Sequence, residues 1–227
     1  MPFTTTSSPD RIEFSRNRFL QVATVLFVAF WSWTLIDVAD PTDWTLENLP
    51  VFLLVINLLW SYRRYKFSDL SYLVMYLFLA MHVYGAKEIY ANNGFGTWLQ
   101  HTFGFARNNY DRIVHFGFGF LIAYPMREAF LWWFRFSSRV SLLMPVVFVL
   151  AAAALYEVFE WVLVTFFFPE QGSNFLGLQG DEWDPQKDMV IALVGALALV
   201  AVIGTVKSLA PAKQQSTPLS SRTGVAR

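Results

Sequence analysis

The stretch Val140-Ser-Leu-Leu-Met-Pro-Val-Val-Phe-Val-Leu-Ala-Ala-Ala-Ala-Leu-Tyr-Glu-Val-Phe-Glu-Trp-Val-Leu-Val-Thr-Phe-Phe-Phe168 carries only two charges, Glu157 and Glu160. It exceeds the roughly 20 apolar residues that a helix needs to cross a bilayer core. The run therefore predicts a transmembrane helix that tilts or emerges as an amphipathic end. An ionisable side chain costs roughly 2.5 to 3.5 kcal/mol at the centre of such a helix, so carboxylates there mark function by default. Composition agrees with lipid as the solvent: 55% of residues are hydrophobic and 15% charged, against about 25% charged in soluble domains. The formal net charge of zero argues against nucleic acid as a partner. The chain has no cysteine, which excludes disulfides, thiolate ligands and a cysteine nucleophile.

Working outward from that run, the apolar segments predict an all-α membrane bundle of six spans, at about 19–36, 45–60, 69–86, 110–126, 140–165 and 185–206. Glu47, Asn48 and Pro50 interrupt the start of the second. Residues 1–15 read as an N-terminal tail, 16–208 as the membrane domain, and 209–227 as a polar tail without a core-forming pattern. Lysine and arginine accumulate in cytoplasmic loops. Six spans put most of the 17 basic residues on one side, leaving Lys87, Arg107, Arg112 and Lys187 on the other among many acids. Both termini are therefore expected in the cytoplasm. Dropping the second span would move Arg63, Arg64 and Lys66 to the acidic side, so the charge pattern retains it.

Helix counting brings separate segments to one depth. If the fifth span begins near Val140, Glu157 lies about 25 Å along it, in the outer half. In Tyr110-Asp-Arg-Ile-Val-His-Phe116, Asp111 and His115 are four apart and share a face; Asp184 and Asp188 repeat that spacing at the start of the sixth span. Glu157 and Glu160, three apart, also share a face. His82, toward the outer end of the third span, is placed to join them. Asp111, Glu157, Glu160, Asp181, Glu182, Asp184 and Asp188 then face only Arg112, Lys187 and His115. Such a crowd cannot all ionise in a low dielectric without cations, so it binds metal or holds raised pKa values.

A histidine-and-carboxylate set without sulfur suits a divalent cation such as Mn, Fe, Mg or Zn. The expected ligands are Asp111, His115, Glu157, Glu160, Asp181, Asp184 and Asp188. His115, Glu157, Glu160 and Asp188 also suit acid–base chemistry, and Arg112 and Lys187 suit a bound phosphate. Plainer roles exist: Asp184 before Pro185 reads as a helix cap, Asp111 complements a helix dipole, and Arg127-Glu128 reads as a snorkelling pair or topology anchor.

Three motifs carry a resemblance: Tyr-Asp-Arg-x-x-His-Phe from Tyr110, Tyr-Glu-x-x-Glu-Trp from Tyr156, and Gln-Gly-Asp-x-Trp-Asp-x-Gln-Lys-Asp-Met from Gln179 to Met189. On these the chain resembles the YjdF-like family of bacterial inner-membrane proteins. That resemblance implies a multi-pass inner-membrane location and no particular chemistry. More distantly, Asp111, Arg112 and His115, then Glu157 and Glu160, then Asp184 and Asp188, look like the motif positions of VanZ-like membrane proteins, which are associated with glycopeptide-antibiotic tolerance. Glutamine and asparagine are expected there where this chain has Glu160 and Asp188. The more acidic set favours a cation.

The leading expectation is a metal-assisted hydrolase or transferase acting on a lipid-linked or envelope phosphoester, with membrane lipid as partner and solvent. A cation- or proton-coupled transporter is the alternative, and a non-catalytic structural membrane protein the third.

Overall fold

The computed structural model describes residues 12–63 and 65–209, so the tail ends and the charges at Arg11, Arg64, Lys213, Arg222 and Arg227 lie outside the described residues. The described residues are helical, with no strand among them: α1 Arg18–Trp33, α2 Pro41–Tyr62, α3 Asp69–Glu88, α4 Gly94–Phe103, α5 Tyr110–Gly117, α6 Ala123–Trp132, α7 Ser138–Val162, α8 Gly172–Phe175 and α9 Asp184–Leu209. A π-helical stretch, Phe118–Ile122, joins α5 to α6 without a break, and a second, Leu163–Phe167, extends α7. Four helices are long and apolar enough to cross a membrane: α2, α3, α7 with its extension, and α9; α1 is a shorter apolar helix.

Local chemistry sets these boundaries. The Asp40 carboxylate accepts from the Thr42 and Asp43 amides, and Pro41 occupies the first turn where its missing N–H is not needed. The helix therefore begins at Pro41, and Glu47, Asn48 and Pro50 lie inside it. The polar side chains that look like an interruption in the sequence are buried, with Asn48 accepting from the Trp31 indole and donating to the Trp44 carbonyl. Asn93 caps α4, which occupies much of the segment between α3 and α5.

The core is a set of crossings around α3 and α9. α9 packs on α5, the first π stretch and α7, while α1 and α2 pack on α3. The crossing of α5 and its π extension with α9 is made close by small residues, as in membrane helix pairs generally. A Cβ placed on Gly119 would fall 1.9 Å from the Ala192 carbonyl oxygen, and one on Gly195 would fall 2.3 Å from that of Phe116. Ala123, Val149, Ala153, Ala192, Ala196 and Leu199 fill the space below this contact. This close approach brings the first turns of α9 beside His115.

At the opposite end of α3, Glu128 of α6 is buried. It accepts from the Ser68 amide at 2.8 Å, from the Ser68 hydroxyl at 2.7 Å and from the Ser71 hydroxyl. Asn17 donates to Asp69 at 2.7 Å in the same layer. Glu128 thus secures the start of α3, where the sequence suggested a snorkelling pair.

Candidate functional site

The first turns of α5 and α9 and the C-terminal part of α7 meet at one point. His115 Nε2 stands 3.4 Å from Asp111 Oδ1 on its own helix and 3.5 Å from Glu157 Oε1 on α7. Ligand atoms of Asp111, His115 and Asp188 all lie within 4.8 Å of one another. The two His115 distances are close to the roughly 3.3 to 3.4 Å between donors bound tetrahedrally at about 2.0 to 2.1 Å, and the wider three-residue set would have to draw in to share one ion. Asp188 is 2% exposed and its Oδ1 has no hydrogen-bond partner; Glu157 Oε1 is likewise buried and without one. A buried carboxylate oxygen left unpaired is costly unless a cation or proton meets it.

Above this cluster a second set of charges is held in ion pairs. Arg107, from the loop before α5, grips both carboxylate oxygens of Asp184, with Nη2 to Oδ2 at 2.8 Å. Arg112 reaches Asp181 at 2.8 Å and Asp184 at 2.9 Å, and Lys187 reaches Asp181 at 2.6 Å. Hydrogen bonds from Lys187 hold the Asp181 carboxyl below the usual carboxylate range. Asp181 and Asp184, expected among the metal ligands, therefore neutralise Arg107, Arg112 and Lys187. Arg112 and Lys187 themselves line a shallow groove with Gln186, Val190 and Ile191. Glu182 is exposed.

Below and beside the cluster is a cavity of about 230 Å³. Its polar wall includes Asp111, His115 and Glu160 together with groups from α2 and α3. Tyr156 donates to Glu47 Oε2 at 2.6 Å across the cavity. His82 Nε2 meets the Glu47 carbonyl oxygen at 2.9 Å, and Tyr90 Oη meets His82 Nδ1 at 2.6 Å. The carbonyl can only accept, so Nε2 carries the ring proton and Nδ1 accepts from Tyr90. Burial pushes the Tyr90 hydroxyl well above its usual range, which keeps it a donor. The remaining wall is apolar, with Val51, Leu54, Leu79, Phe118, Ala152 and Ala153 prominent.

The structure thus gathers Asp111, His115, Glu157 and Asp188 at one point, sets Glu160 in the adjoining cavity, and draws Asp181 and Asp184 into ion pairs. Sequence reasoning did not assign Glu47, Tyr90, Tyr156 or Arg107 to the site. The signal for Glu47 was present: an acid in an apolar helix, with Asp43 four residues before it on the same face.

The family model described as predicted membrane protein (DUF2238) matches residues 19–208. The chain is similar to the inner membrane protein YjdF of Escherichia coli (strain K12), 35% identical over 170 residues that cover 74% of this chain and 80% of that protein. No solved structure matches the chain. Its membrane-length helices and these similarities make it a multi-pass protein of the inner membrane. The chain belongs to the DUF2238 family of membrane proteins, to which the YjdF likeness of its three motifs corresponds.

Proposed function

We propose that Asp111, His115 and Asp188, with Glu157 beside them, bind a divalent cation that serves hydrolysis or transfer of a lipid-linked or envelope phosphoester. The buried, unpartnered Asp188 Oδ1 beside His115 and Asp111 is the observation that carries this reading. Three oxygen-and-nitrogen donors without sulfur suit Mn, Mg, Fe or Zn. When bound, such an ion polarises a phosphoryl oxygen and lowers the pKa of water. Glu157, adjacent to His115, takes a proton from the attacking group, and Glu160 in the cavity returns one to the leaving oxygen. Arg112 and Lys187 serve as phosphate contacts once Asp181 yields them. In this reading the chain has six spans, both termini are cytoplasmic, the tails 1–15 and 209–227 flank the membrane domain, and the site opens to the outer leaflet. The distant likeness to VanZ-like proteins supports an envelope role on the same positions.

Titration of the purified protein with Mn²⁺ tests the reading. Wild type is expected to bind it saturably, Asp188→Asn to lose at least about tenfold in affinity, roughly 1.4 kcal/mol, and Ser208→Ala to bind as wild type. Equal binding by wild type and Asp188→Asn would sink the proposal. A second reading, a cation- or proton-coupled transporter, is favoured by Glu47 and Glu160 facing one cavity from separate helices without a lysine or arginine. A proteoliposome flux abolished by Glu160→Gln, without phosphoester turnover, would select it.

A further inference from the structure

The cavity has one polar wall and one apolar wall, and its boundaries differ. Toward the loop side it is roofed: Phe175, Leu176 and Gly177 line it from above, and Phe175 is itself buried. Toward the sides it is bounded by α2, through Pro50, Val51 and Leu54, and by α7, through Ala152, Ala153 and Tyr156. These two helices share no broad packing contact among the described residues. α2 rests on α3, and α7 rests on α6 and α9. Between them the clear bridge is the Tyr156–Glu47 hydrogen bond at the polar end. Along the apolar end, the small side chains of Ala152 and Ala153 face Val51 and Leu54 with space between. The outer faces of both helices expose large apolar side chains, among them Leu53, Ile56, Val147 and Leu155, as surfaces in contact with hydrocarbon do.

A site closed above and unsealed between two lipid-facing helices is reached sideways, from the bilayer. We propose that this cavity admits a membrane phospholipid between α2 and α7, with a hydrocarbon chain along Val51, Leu54 and Ala152 and a phosphate-bearing head at Asp111, His115 and Glu160. The head assignment rests on the cation reading above: the cavity's own polar wall holds acids, histidines and tyrosines but no lysine or arginine, so at that wall a phosphate is held across the bound cation, with Arg112 and Lys187 reaching it only from outside the cavity. The chain assignment rests on the apolar wall alone. An ordinary small-molecule site would open to water, and here the roof occupies that direction. The Tyr156–Glu47 bridge sits where the head would pass, so it acts as a latch at the polar end of the entrance.

Photolabelling of the purified full-length protein in detergent tests this. The probe is a monoacyl glycerophosphate carrying a diazirine within its acyl chain, used with and without Mn²⁺. Labels are expected on Val51, Leu54 and Ala152, stronger with Mn²⁺. Ala152→Phe and Leu54→Trp, which fill the apolar limb from opposite sides, are each expected to cut labelling roughly tenfold with Mn²⁺ affinity retained. Retained affinity shows that the variant has folded. Labels spread over exposed positions such as Val22 and Leu59, and indifferent to both filling variants, would overturn the lateral site. Stronger labelling by a chain-matched amine-headed probe than by the phosphate-headed one would overturn the head assignment. Cavity labelling that persists in a protein binding no Mn²⁺ would leave the chain site standing and remove the cation reading beneath it.

Discussion

The two ends of the bundle each bury carboxylates, and they treat them in opposite ways. Near the start of α3, Glu128 receives an amide and two hydroxyls. Near the start of α9, Asp188 and Glu157 each bury an oxygen with no hydrogen-bond partner, close to Asp111 and His115. A buried charge whose lone pairs are filled by the protein holds a fold together. One whose lone pairs are left open, among other acids, strains the fold until something else arrives. The comparison separates a structural acid from a candidate binding acid without reference to sequence motifs.

The largest effect that would break this contrast lies at Glu128. Glu128→Leu removes an acceptor shared by three donors, so it is expected to destabilise by about 3 kcal/mol, read as a lowered thermal unfolding midpoint in detergent, with Mn²⁺ affinity per folded molecule unchanged. The reverse behaviour belongs to Glu157→Gln. It removes one of several acids packed together, so the cation-free protein is expected to gain about 1 kcal/mol, while Mn²⁺ binding weakens. A loss of stability in both variants would erase the distinction between the two ends.

The smallest effect concerns the ion pairs above the cluster. The folded Asp181 carboxyl titrates below its ordinary value because Lys187 hydrogen-bonds it. A depressed carboxylate pKa contributes stability above the unfolded value and loses it as pH falls through the folded one. Lys187→Met is therefore expected to leave the unfolding midpoint nearly unchanged at neutral pH, since the lysine is half exposed. Its small deficit relative to wild type should shrink as pH falls below the ordinary aspartate value of about 3.9. A deficit that grows on acidification would refute the pairing.

How much of this was legible beforehand follows from the range over which each signal acts. Asp111 with His115, and Glu157 with Glu160, were found by local spacing, because helix geometry fixes which residues share a face. Their common depth came from counting residues along apolar runs. The role of Asp184 was not legible, since its partner Arg107 is 77 residues away in an irregular loop where no periodicity constrains a side chain. Glu47 stands out in the sequence only as an interruption of a span. Its partner Tyr156 lies 109 residues further on, and only the tertiary fold brings them together. Likewise, Glu128 looked like a surface anchor because nothing in its neighbourhood announces the Ser68 and Ser71 donors.

The π stretch at Phe118–Ile122 gives the site a dependence on chain length as well as on residue type. Wider turns of this kind hold one more residue than an α-helix would. Deleting a single residue there would let the segment relax to regular α-helix with its two halves near their present relative rotation, because the wide turn already absorbs the extra residue. With Gly119 fixed against Ala192, the same deletion in the regular turns before it, at Ile113 or Val114, would instead rotate Asp111 by about 100° away from Glu157 and Asp188. The site is therefore sensitive to indels by position: losing one residue within Phe118–Ile122 is absorbed by the helix, whereas the same loss within α5 dismantles the cluster.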